Sequence, residues 1–258
     1  MLRLTREVRF TLPFSEAERF HLPGQNTLVG NLLDGPGMYC TLQVTLAGEV
    51  NPLSQYLENI KEIDAEARRA PAWALLELMR GGKWTIERAT KLAGDVLAKR
   101  WPGQLQGVRL RTNPFLWCDY LPRERPMYRL TQRFDFSAAH RLHNDRLDDA
   151  TNVEMFGKCN NPAGHGHNYQ FDVTLAGEPD ESGRLISRDR FCEIVQRLVI
   201  DRFDHKHLNV QTSEFRDTIP SVENIAAVIY RLLKSELPTL HSVRVWETEK
   251  TSAEYREP

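Results

Sequence analysis

Apolar and polar residues alternate from Leu4 to Phe10, and again over Tyr128–Phe136 (YRLTQRFDF) and Tyr169–Ala176 (YQFDVTLA). These segments are rich in β-branched and aromatic residues, and the two-residue period predicts strands. Ser187–Phe203 instead repeats Phe191, Ile194, Val195, Leu198 and Val199 at helical spacing, with Ser187 placed to cap the helix. A second helix is predicted over Ser221–Leu237, where Ser221 follows Pro220 and Ile225, Val228, Ile229 and Leu232 form one stripe. His241–Thr248 and Thr251–Arg256 read as a closing hairpin. The order is strand, strand, helix, helix, strand, strand. The first half reads the same way, with helices over Ala65–Met79 and Thr85–Arg100. The expected class is α+β, with each half a four-stranded antiparallel sheet carrying both helices on one face.

The two halves share more than a pattern. The string VTLAGE stands at Val44–Glu49 and at Val173–Glu178, half a chain length apart. Leu4-Thr5 matches Leu130-Thr131, Val108-Arg109-Leu110 matches Val243-Arg244-Val245, and Asp119-Tyr120 matches Glu254-Tyr255, all in the same order. An ordered series of this kind argues for a tandem duplication rather than two strands of like composition. The connection falls in Leu121–Pro126, whose two prolines and three charges suit an exposed link. The expected division is a first domain over 1–121, a linker over 122–126 and a second domain over 127–258.

Composition narrows the class without deciding it. The chain has 258 residues, 41% of them hydrophobic and 27% charged, enough for a buried core and too little bias for disorder or a fibrous repeat. Lys plus Arg (34) nearly cancels Asp plus Glu (35), so no overall field recruits nucleic acid or a membrane surface, and an anionic substrate would have to be held locally. Charges at Arg3, Arg6, Glu7 and Arg9 break any signal-peptide core, and no long uncharged apolar run suggests a membrane span. A cytoplasmic location is the expectation. The four cysteines are scattered and form no CxxC pair, so disulfides are not expected.

Seven of the eight histidines lie beyond residue 139, and His165-Gly166-His167 is the densest cluster. Residues two apart on a strand point to one face, so both imidazoles could meet one metal, with Gly166 leaving room for close approach. His140, ending the strand RFDFSAAH, could be a third ligand from a neighbouring strand. Three histidines with an open fourth position is the catalytic type of zinc site; solvated loop histidines are the alternative. Cys159, in a polar turn beside Lys158, could be a fourth ligand, a catalytic base or an inert thiol. Asp204-His205 offers a carboxylate and an imidazole able to activate a thiol. Glu247 shares a strand face with Val243 and Val245, an odd place for a charge unless it meets a ligand or simply ends the strand in solvent.

Together FSAAHRL, GKCNNPAGHGHNY, DHKHLN, SVENIA and VWET resemble the 6-pyruvoyl-tetrahydropterin synthase and 6-carboxy-tetrahydropterin synthase family over Tyr128–Glu257. The resemblance implies the tunnelling fold, with sheets joined edge to edge into barrels. It implies zinc held by His140, His165 and His167, Cys159 as proton acceptor, Asp204 and His205 as its relay, and Glu247 as the carboxylate that anchors a pterin. Ser221 and Glu223 match positions lining the pterin pocket, although Val222 stands where some members carry a hydroxyl. The implied substrate is 7,8-dihydroneopterin triphosphate. Lys158, Arg141 and Lys206 are candidates to meet the triphosphate, or are ordinary surface cations.

The first half departs from this pattern. Phe14 stands in the place of His140, Pro36 and Met38 in those of His165 and His167, and Thr112 in that of Glu247. None of the four can do the corresponding work. Cys40 follows the replaced ligands instead of preceding them, and His21 is alone. The first half therefore reads as a catalytically empty copy kept for assembly. The expected oligomer is a homotrimer imitating a hexamer, three second halves in one barrel stacked on three first halves in another. The expected activity is a zinc-dependent lyase making 6-pyruvoyl-tetrahydropterin with loss of triphosphate. The alternatives are the 6-carboxy-5,6,7,8-tetrahydropterin synthase of the queuosine (deazapurine) pathway, and a non-catalytic zinc-containing pterin-binding or assembly module. The longer Cys-x5-His-x-His spacing leans toward the 6-pyruvoyl product.

Overall fold

The computed structural model describes residues 1–14 and 37–257, so Pro36 and His21 lie outside the described residues. The chain forms two compact units: Met1–Leu130 with Ala176–Leu185, and Thr131–Leu175 with Ile186–Pro258.

In the first unit, β1 (Leu2–Pro13), β2 (Gly37–Gly48), β3 (Leu105–Asn113) and β4 (Leu116–Tyr120) pair antiparallel in chain order. Val8, Phe10 and Leu12 alternate inward from β1 and are fully buried, as a half-solvated sheet requires. Helices α1 (Ile60–Arg80) and α2 (Ile86–Arg100) pack on β1 and on β3 and β4 respectively. α1 begins five residues before the periodicity suggested, because the Asn59 side chain accepts from the Lys61 N–H and caps the helix there.

The second unit carries most of β5 (Tyr128–His140) and β6 (His165–Gly177), with β8 (Leu240–Thr248) and β9 (Thr251–Tyr255), in the sheet order β5-β6-β8-β9. Between β5 and β6 lie α3 (Asp149–Phe156) and a 3-10 turn (Gly157–Asn160). Asp148 caps α3 by accepting from the Thr151 N–H at 2.7 Å. The predicted helix over 187–203 is α4 (Arg188–Val195), a π-helical turn (Gln196–Ile200) and a last turn, α5 (Asp201–Phe203). Then come β7 (Lys206–His207), parallel to β5, the short α6 (Leu208–Gln211), and α7 (Val222–Lys234) capped by Ser221. Phe136, Phe171, Val173, Val243 and Val245 from the sheet meet Phe191, Ile194, Val195, Ile225 and Ile229 from the helices in one buried core. Each such side chain contributes about 1.5–3 kcal/mol by leaving water.

The two four-strand sets repeat in register. Val44 pairs with Val108, and Val108 with Tyr120; Val173 pairs with Val243, and Val243 with Tyr255. A bulge follows Thr45 in one and Thr174 in the other, and a second lies between Arg111 and Asn113 and between Trp246 and Thr248. Cross-strand side chains match as well: Thr5 with Thr45 and Thr131 with Thr174 are hydroxyl pairs, and Arg109–Asp119 and Arg244–Glu254 are ion pairs. Each unit is α+β, its four long strands antiparallel with only the two-residue β7 added in parallel, and neither set of strands closes on itself. No helix among the described residues is long and apolar enough to cross a membrane.

Candidate metal centre and proton-transfer residues

β5 ends at His140 and β6 begins at His165, so adjacent strands bring sequence-distant imidazoles together at one end of the sheet. His140, His165, His167 and Glu247 each offer a ligand atom, all within 4.8 Å of one another. His140 Nε2 lies 3.0 Å from His165 Nε2 and 3.2 Å from Glu247 Oε1, and that oxygen is 3.4 Å from His167 Nε2. Glu247 sits in the β8 bulge between Trp246 and Thr248, a device that re-aims a side chain beside a site.

The orientation of His140 is fixed from behind. Its Nδ1 lies 2.7 Å from the Pro220 carbonyl, so that nitrogen carries the proton and Nε2 turns a lone pair toward the cluster. The ring is fully buried. Burial pushes its pKa down to about 4, against the opposing pull of the Pro220 carbonyl. Burial, with His167 nearby, also lowers His165. Three imidazoles beside a carboxylate are a donor set that suits a divalent cation, zinc included. The residues present fit such an ion.

Gly164, rather than Gly166, is the position where only glycine fits. Its φ is +72°, and a Cβ there would fall 2.6 Å from His207 Nε2 and 2.9 Å from the His140 carbonyl. A Cβ on Gly166 would meet nothing closer than 3.7 Å. The tight turn before the HGH string, not the gap within it, delivers the two histidines.

Cys159 stands on the 3-10 turn, half-buried, with its carbonyl held by the Leu142 N–H at 2.9 Å. It lies outside the four-residue group, in which the carboxylate of Glu247 accompanies the three imidazoles. Asp204 accepts from His205 Nδ1 at 2.8 Å and from the Ser137 N–H at 2.8 Å. Those bonds, the Ser137 one foremost, hold its carboxyl below the usual range. His205 occupies the left-handed region at φ 56°, pinned by its N–H to the Ser137 carbonyl, and its ring is exposed. A non-glycine residue there costs of order 1 kcal/mol, a type of strain that concentrates at functional sites. His205, Lys206 and His207 line one open depression with Gly166 and His167. Ser221 caps α7, and Glu223 on its first turn is exposed. Arg141 is clamped by Asn209 through both backbone groups, with its Nε turned to Asn160; Lys158 is exposed.

Three contributors were not singled out from sequence. Pro220 acts through its carbonyl, which no residue type advertises. His207 acts by packing against Gly164. Tyr169 follows His165 and His167 on the same face of β6; its ring meets His167 and His140 edge-on at 5.5 and 5.9 Å and stacks on Phe136. Its hydroxyl is buried with no hydrogen-bond partner, and burial, then Glu247 and Cys159, drive its pKa far up. The alternation that predicted the strand could have flagged it. In the first unit, the described counterparts carry no such chemistry: Phe14 is exposed, Met38 pairs with Leu12, and the thiol of the buried Cys40 is pushed up to about 12 by burial.

Fold and site define an α+β enzyme with a histidine-carboxylate centre able to hold a metal ion. Residues 129–258, half of the chain, match the family model described as 6-pyruvoyl tetrahydropterin synthase, and the chain belongs to that family of lyases. It is 40% identical over 141 residues to the 6-pyruvoyl tetrahydrobiopterin synthase of Drosophila melanogaster, which covers 52% of this chain and 83% of the relative. It is 29% identical over 153 residues to the 6-carboxy-5,6,7,8-tetrahydropterin synthase of Haemophilus influenzae, covering 51% and 100%. Among solved structures, the 6-pyruvoyl tetrahydropterin synthase of Caenorhabditis elegans is 37% identical, covers 50% of this chain and 95% of its own, and gives a TM-score of 0.49.

Proposed function

We propose that the chain is a zinc-dependent pterin synthase that converts 7,8-dihydroneopterin triphosphate to 6-pyruvoyl-tetrahydropterin with loss of triphosphate. The observation that carries this reading is the convergence of His140, His165, His167 and Glu247 within the family-matched region. The higher identity to the 6-pyruvoyl relative than to the 6-carboxy one favours the product.

His140, His165 and His167 would hold the zinc, and when bound it would supply Lewis-acid polarisation of the substrate's side-chain oxygens. Glu247 would accept two hydrogen bonds from the amino-pyrimidinone edge of the pterin, fixing the ring beside the imidazoles. Cys159 would take and return side-chain protons as the redox change passes internally between side chain and ring. His205, oriented by Asp204, would relay them with its outward Nε2. Lys206, on the same depression as His167 and His205, would meet the leaving triphosphate.

The matching registers and bulges support descent of the two halves from one duplicated unit, the first having lost its ligands and kept its sheet. Open strand edges support assembly of copies edge to edge into barrels. The test is incubation of the zinc-loaded protein with 7,8-dihydroneopterin triphosphate and mass analysis of the product. A 6-pyruvoyl product with one triphosphate released is expected; a 6-carboxy product would move the chain to the other branch, and no turnover with zinc bound would overturn both.

A further inference from the structure

The N-terminus of α2 is occupied by a peptide segment. Thr85 donates its hydroxyl to the Gly183 carbonyl at 2.7 Å, and Glu87 accepts the Leu185 N–H at 3.0 Å. Arg88 donates to the Glu181 carbonyl. Thr85 and Glu87 are 5% and 2% exposed as a result. The segment is a compact turn in which Asp180 and Arg184 join through the backbone, the Gly183 N–H meets the Asp180 carbonyl, and Gly183 takes φ +80°. A Cβ on Gly183 would strike Arg88, so the fit is close.

Both partners of this contact have counterparts elsewhere in the chain. The connection between β2 and α1 builds a related turn, one residue longer: Asn51 and Tyr56 join through the backbone, the Gln55 N–H meets the Asn51 carbonyl, and Gln55 takes φ 56° where Gly183 takes +80°. Left-handed backbone at a glutamine costs about 1 kcal/mol, so the turn is held against its local preference. Val50, Leu53 and Tyr56 on it are exposed apolar side chains. The docking face recurs at α7. Ser221 caps that helix as Thr85 caps α2, and Val222 and Ile86 are equally buried. Glu223 holds the position of Glu87, yet it is exposed.

We propose that the β2–α1 loop of a second copy docks on the N-terminus of α7 as the 180–185 turn docks on α2. The Ser221 hydroxyl would donate to the Gln55 carbonyl of the second copy, and the Glu223 carboxylate would accept its Leu57 N–H. The occupant is this chain itself because the chain carries both halves of a contact it already makes once. Ser221 and Glu223 gain a role as interface residues, independent of the substrate reading.

Sedimentation equilibrium on the full chain tests this. Glu223→Ala and Leu57→Pro, which deletes the N–H, are each expected to weaken association about tenfold or more, the double variant no further than the worse single one. Glu87→Ala should lower the melting temperature without changing association. Glu223→Lys serves in place of Leu57→Pro if proline disturbs the loop. A wild-type monomer at tens of micromolar, unchanged association in the Glu223 variants, or strictly additive losses would overturn it.

Discussion

His140 is held at its Nδ1 by the carbonyl of Pro220, 2.7 Å away, and so presents Nε2 to His165, His167 and Glu247. The same proline precedes Ser221, the cap of α7, so the entry to that helix and the orientation of a metal ligand share one backbone group. Losing a ligand's supporting hydrogen bond costs 10- to 100-fold in metal affinity by typical experience. His140→Ala, which removes the ligand itself, is expected to exceed ~100-fold, read by chelator competition. Zinc retained at one per chain in that variant would exclude His140 from the centre.

Cys159 stands apart from the four-residue group. Cys159→Ala is therefore expected to keep its zinc and lose turnover by ~100-fold or more, the range of a general acid-base residue. Metal analysis and steady-state rates on one preparation separate the roles, and loss of zinc with activity would make the thiol a ligand.

Glu247 can serve as ligand or as pterin anchor, and Glu247→Gln divides the two. An anchor predicts unchanged zinc content with product affinity down ~10-fold or more, because an amide offers one acceptor where the pterin edge needs two. Calorimetric titration with the product, beside metal analysis, reads both quantities.

Tyr169 makes an opposite prediction for stability. A buried hydroxyl without a partner costs ~1–3 kcal/mol, so Tyr169→Phe should leave the metal-free chain as stable as wild type or more so. Thermal melts with and without zinc measure it, and a drop of several degrees in the metal-free form would show the hydroxyl is satisfied within the fold.

Glu87 gives the pH dependence. Burial raises its carboxyl above the ordinary 4.5, although the Leu185 N–H opposes the shift. The folded chain then binds the proton more tightly than the unfolded one, so this group's contribution to stability falls as pH rises from 4.5 through the raised value. Glu87→Gln should flatten that decline and melt higher at neutral pH. A wild-type melting curve with the opposite slope in that window would contradict it, provided Glu87→Gln abolishes the difference.

Much of this was legible in the chain, unevenly. The strands of both halves, α2 and α7 followed from periodicity and caps, and the Val44 and Val173 strings marked corresponding registers. α3, the π-helical turn after Val195 and the short β7 were not legible. α3 is too short and polar to show a stripe, and one extra residue in a helical turn leaves the apolar spacing almost unchanged. Residues that meet in the fold were singled out where chemistry resides in the side chain, as at His165 and Glu247. They were missed where it resides in the backbone or in packing, as at Pro220 and Gly164. The close approach assigned to Gly166 belongs to Gly164, because steric demand depends on φ and neighbours that sequence does not state.

The bulge that skips Thr112 in β3 and Glu247 in β8 leaves one residue in each half outside the ladder of paired strands. A position that carries no ladder bond can change its side chain without asking the sheet to re-pair. Such a socket lets one half exchange carboxylate for hydroxyl while the folding instructions stay the same, so that gaining or losing chemistry here is a one-residue event and the scaffold need not notice.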